Sequence, residues 1–88
     1  MSEDKLRDAL EALRGEISRL EGLDDQSRAR LDHLLGDIEL KVKQPQDAAH
    51  HENLIQRLQD SVSRFEVSHP NLTMALNEVL NALSGAGV

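Results

Sequence analysis

Cysteine, tryptophan and tyrosine are absent from these 88 residues, and the chain holds one phenylalanine and two prolines. Without cysteine no disulfide can form and no thiolate can hold a metal. Long apolar runs are missing too: nothing approaches the ~18 residues of a membrane-spanning helix. The opening MSEDKLRDAL is charged from its third position and has no apolar segment of the signal-peptide kind. These absences describe a soluble, cytoplasmic, bacterial-type protein with no membrane role. In such a protein the NLT triplet at 71–73 carries no glycosylation meaning. A basic run is lacking as well. Net charge is −6, and the densest basic spot, RARL at 28–31, is flanked by Asp24, Asp25 and Asp32. A phosphate backbone needs a cationic face, so no nucleic-acid partner is expected. The glycines, at 15, 22, 36, 85 and 87, are scattered and form no phosphate loop.

What is present is leucine at regular intervals. Leu6, Leu10, Leu13, Ile17 and Leu20 follow one another at steps of four, three, four and three. That 3.5-residue period is the mark of a helix packing on helices, and it predicts a first helix over 3–21. Glu3 with Arg7 and Glu11 with Arg14 sit at pairing distance on its wet side. Gly22 provides a stop. A second helix, over 25–43, begins at Asp24 or Asp25, whose carboxylate suits free N–H groups. Its stripe is Leu31, Leu34, Leu35, Ile38 and Val42, with Lys41 and Lys43 at the end that favours cations. The connection of about three residues makes these two helices antiparallel neighbours.

Pro45 breaks the pattern within KQPQDAAHH, and Asp47 is placed to cap a third helix over 48–66. Leu54, Ile55, Leu58, Val62 and Phe65 form its stripe. A fourth helix, over 70–84, carries Leu72, Ala75, Leu76, Val79, Leu80 and Leu83 on one broad face. From residue 67 to the end there is one charge, Glu78, whereas the first 66 residues hold 25. A nearly uncharged amphipathic helix is either deeply packed or an interface. It is a poor membrane-surface helix, because such helices bring lysine or arginine.

The lone ring, Phe65, stands just before VSHP. Proline is welcome at the first helical position, and the residue before it resists the α conformation. Ser68, His69 and Pro70 therefore read as a corner, with Ser68 or His69 covering the N–H groups of the fourth helix. Phe65 packs in the elbow.

No catalytic set emerges. His69 beside Glu66 is the one acid/base-like pair near an apolar corner, yet no nucleophile motif surrounds Ser61, Ser63 or Ser68. His33 and Asp37 are four apart, a spacing for two metal ligands, and nothing fixes a third. His50 and His51 fall in or near a solvated break. The expectation is no enzyme, no metal and no cofactor.

Two stretches carry a family likeness. RFEVSHPNLTMALNEVLNALSGAGV, from Arg64 onward, and RLDHLLGDIE, from Arg30, resemble a family of small bacterial proteins catalogued as a domain of unknown function, number 4404. The likeness covers nearly the whole chain, and RFEVSHPNL is its specific part. That family commonly has an acidic residue where this chain has Ser68, which weakens the idea of a charged site there. The resemblance implies an all-helical fold and brings no catalytic or binding residue.

The expected architecture is one all-α domain, 1–88, of about four helices in two antiparallel hairpins. Leu6, Leu10, Leu13, Ile17, Leu20, Phe65, Leu72, Leu76, Val79 and Leu83 are its core or interface residues. A chain this short buries only about 60–65% of its unfolded surface. With a long seam on the first helix and a shorter last helix, a homodimer is expected. The expected function is a non-enzymatic interaction or scaffold protein that pairs with itself or a protein partner through leucine-rich faces. The alternative is a ligand- or metal-responsive regulator using the histidines.

Overall fold

Each helix of this chain starts and stops for a reason visible in its residues. The computed structural model describes residues 2–85, with side chains from 4 to 84, so the expected Glu3–Arg7 pair and the final residues lie outside the described part. The helices are α1 (Ser2–Arg19), α2 (Asp25–Lys43), α3 (Ala48–Phe65) and α4 (Pro70–Gly85). Asp24 caps α2 by accepting the Ser27 N–H at 2.9 Å, and Asp47 caps α3 by accepting the His50 N–H at 3.1 Å. Each cap satisfies a backbone donor that the first helical turn leaves free. Gly22 turns the chain between α1 and α2 with φ +78, a conformation costly for any side chain. Its connection is longer than the spacing predicted. α1 ends at Arg19 rather than 21, so Leu20 leaves the helix and lies half-buried against the core.

At the end of α2 the Gln44 N–H donates to Leu40 O at 2.8 Å, after which Pro45 cannot continue the ladder. The third connection is the predicted corner. The Glu66 N–H still donates to Val62 O, the His69 N–H reaches back to Phe65 O at 2.8 Å, and Pro70 opens α4.

The four stripes meet in one core. Leu6, Leu10, Leu13 and Ile17 of α1 face Leu31, Leu34 and Ile38 of α2, Leu54, Leu58 and Phe65 of α3, and Leu72, Leu76, Val79 and Leu83 of α4. α1 packs against α2 and α4, and α3 packs against the same two, so the helices form a ring with α1–α3 and α2–α4 as diagonals. Short connections make successive helices antiparallel. α1 and α4 lie closest together, and they carry the buried alanines Ala9, Ala75 and Ala82. Small residues let backbones approach. The two sides that α2 makes, with α1 and with α3, are looser than those of α4.

Two expectations about the last helix and the first are now decided. α4 is deeply packed on its inward side: Leu72, Leu76 and Val79 are fully covered. The mismatch in length shrinks to 18 residues against 16, and the long α1 seam is covered within one chain. The Cα radius of gyration is 12.2 Å, which fits the roughly 12 Å of a compact globule of this length.

Leu13 is fully buried whereas Leu40 is 39% exposed. Leu13→Ala should therefore cost about 2–5 kcal/mol in urea unfolding, from lost transfer energy plus the cavity. Leu40→Ala should move the midpoint little.

Candidate functional site

Polar side chains collect in three places: the α3–α4 corner, the α2–α3 corner, and the loose side between α2 and α3. At the first, Phe65 is buried and the His69 ring meets it edge-on, with centroids 5.9 Å apart and planes at 71°. Of Ser68 and His69, the two residues expected to cover the α4 N–H groups, His69 does so, through its backbone. It is the His69 carbonyl that begins the helix, accepting from the Thr73 N–H at 3.0 Å and from Thr73 Oγ1 at 3.1 Å. Ser68 Oγ turns to His69 Nδ1 at 2.9 Å, because the imidazole is the polar group nearest to it in the corner. A serine on an imidazole is half of a nucleophile–base arrangement. The other half would be a carboxylate on the second ring nitrogen, and no described contact supplies one. Beside this corner lies a cleft of ≈ 400 Å³ that Gly22, Asp24 and Ser27 share with Arg64, Ser68 and His69.

At the second place His50 and His51 lie directly after the exposed residues 43–49, near the break where the sequence put them. α3 starts at Ala48, so both occupy its first turn, half-buried. Asp47 caps the helix early, and the turn packs back on α2. His50 Nε2 lies 2.8 Å from the Asp37 carbonyl oxygen. A carbonyl only accepts, so Nε2 carries the proton. His51 Nδ1 is buried with no hydrogen-bond partner. Lys41 is buried as well, and its Nζ donates to the Pro45 carbonyl at 2.7 Å, holding the turn to the end of α2. Burial pushes the His51 pKa down, and the Lys41 charge adds to this; His50 acts in the same sense and Glu52 against it.

The third place is a groove of ≈ 440 Å³ along the α2–α3 side. His33, Asp37, Arg57 and Ser61 are among its lining residues. Arg57 pairs with Asp37 across it. The expected His33–Asp37 pair is thus on one groove wall, but the Asp37 carboxylate is engaged by Arg57. Among the described residues no three of His, Cys, Asp and Glu come together as metal ligands. No helix is long and apolar enough to cross a membrane. On the opposite side of α2, Arg14 reaches from α1 to Glu39 at 2.6 Å and lies 3.8 Å from Glu11. Arg14 holds the Glu39 carboxyl below its ordinary pKa, and the Ser27 hydrogen bonds do the same for Asp24.

Sequence reading missed the burial of Lys41, Ser61 and Thr73, the three buried polar residues among those described. The signal was there. Continuing Leu31, Leu34 and Ile38 by three gives Lys41, and Leu54 and Leu58 are followed at the same rhythm by Ser61 and Phe65. Val42 and Val62, chosen instead for being apolar, are only partly buried.

These features define a class: a small, antiparallel, all-helical bundle with polar residues set into its seams. Within that class the chain is identified by its match, over residues 6–88, to a family described as a domain of unknown function (DUF4404), and it belongs to that family. No curated protein and no solved structure matches it.

Because the folded state holds His51 neutral, it binds fewer protons than the unfolded chain near pH 6. This part of stability is fully present above the ordinary histidine value of about 6.5 and is lost as pH falls through the lowered folded value. The urea midpoint should drop between pH 7.5 and 5.5, and His51→Gln should flatten that drop. The Asp24 and Glu39 contributions disappear only at more acidic pH, below the ordinary carboxylate range, as pH falls through their lowered values.

Proposed function

We propose that the protein is a non-enzymatic helical interaction protein of the bacterial cytoplasm that works as a homodimer. Its leucine seams are used up inside one chain, so the pairing surface is assigned to the outward face of α4. Asn71, Met74, Asn77, Asn81 and Ser84 recur there at steps of three and four, all exposed, and Glu78 is the helix's one charge. The observation that carries this reading is where the uncovered apolar groups lie. Three large apolar side chains are exposed among the described residues, and two of them, Val67 at 92% and Met74 at 65%, belong to α4 and the corner before it.

Charge selects a second copy as the occupant. A chain of net charge −6 repels its own kind, and the repulsion is weakest where the surface carries least charge. Asparagine amides both donate and accept, so this face is complementary to itself, as a two-fold contact requires. At about 24 Å of helix the face is small, which suits a reversible dimer rather than an obligate one.

Light scattering at tens of micromolar should give twice the 9.8 kDa chain mass. Added salt should preserve or tighten the dimer, because it screens the mutual repulsion. Met74→Asp combined with Val67→Asp should give a monomer with unchanged helical circular dichroism. A wild type that stays monomeric throughout that range would sink the proposal.

A further inference from the structure

The groove between α2 and α3 has a register that can be read from its ion pair. Asp37 meets Arg57 across it, and one turn further along each antiparallel helix stand His33 and Ser61. Ser61 is 9% exposed, lines the groove, and makes no hydrogen bond among the described residues. Its hydroxyl opens onto the groove, so a group that enters there can take the place of solvent as its partner.

The charges around it are unevenly matched. Asp37 is engaged by Arg57, and Asp60 accepts from Arg64 Nε at 2.9 Å. Arg30 and His33, one turn apart on the α2 wall, form no hydrogen bond or ion pair among the described residues, although the Arg30 charge is felt at Asp24. So the groove holds two neutralised acids, a guanidinium outside any ion pair, an imidazole and a hydroxyl that opens onto it. Ala29 and Leu34 add an apolar stretch to the α2 wall.

We infer that this groove binds a small monocarboxylate with a hydrocarbon body. Arg30 takes the carboxylate through its two-pronged donor edge, His33 and Ser61 donate from either side, and the hydrocarbon lies along Ala29 and Leu34. A dianion is disfavoured, because its second charge would face Asp37 and Asp60 with one guanidinium outside any ion pair to balance it. The volume of ≈ 440 Å³ falls within the roughly 300–1,000 Å³ of small-molecule sites. The site lies away from the exposed face of α4, so it stands or falls independently of dimerisation.

The test is titration of the ¹⁵N-labelled full chain with octanoate, followed by amide shifts, with octanol and inorganic phosphate as comparisons. Octanoate should give saturable shifts centred on residues 30–37 and 57–61, and octanol and phosphate should not. Arg30→Gln changes an exposed residue, so the fold is kept, and the variant should bind about tenfold more weakly. Ser61→Ala should also weaken binding while leaving the helical signal intact. Absence of saturable shifts at millimolar octanoate would overturn the inference. So would equal binding of octanol or phosphate, or an Arg30→Gln titration that matches wild type.

Discussion

Four helices of 16 to 19 residues each carry one apolar stripe, and none can hide that stripe alone. Helices this short are marginal in water as isolated peptides, so their persistence depends on mutual burial. Closing the ring supplies it. Each helix has two neighbours, and the residues at the centre, Leu13, Leu31, Ile38, Leu58, Leu72 and Leu76, lose all contact with solvent. With no disulfide to add stability, the packing of these side chains is what makes the chain one structure.

Into those seams the chain sets three polar residues, and each has a distinct consequence. Lys41 continues the α2 stripe past its last leucine-like position and spends its charge on the Pro45 carbonyl, so the α2–α3 turn is tied to the core. Thr73 bonds the His69 carbonyl and ties the start of α4 to the corner. Ser61 bonds nothing in the described chain and lines the groove between α2 and α3. Two of the three close a helix end, and the third leaves a groove.

The distribution of charge follows the same logic. α1, α2 and α3 cross-link through Arg14 with Glu39 and Arg57 with Asp37, so charged residues crowd their outer surfaces. Among the described residues α4 has no such links, and it has the most apolar composition and the closest neighbour in α1. Its outward side carries one charge, Glu78, with amides and a methionine where the other helices carry ions.

Leucine spacing, with aspartate and proline at the breaks, was enough to read four helices, a cap at Asp24 or Asp25 and another at Asp47, the Pro70 corner, and nearly every core residue. Helical periodicity, capping and proline geometry act within a few residues of one another, so they are written in the chain order itself. The contact of His50 with α2 and the burial of His51, Lys41 and Ser61 were decided only when helices met. Each depends on which surface lies opposite and how far away it is. The 3.5-residue rhythm did pass through Lys41 and Ser61, but rhythm alone does not say whether a polar residue in a seam will be bonded, as Lys41 is, or left facing a gap, as Ser61 is. Lys41 finds its acceptor four residues on, in the turn it packs beneath, whereas Ser61 meets a groove between α2 and α3 that exists only in the packed bundle and belongs to neither helix.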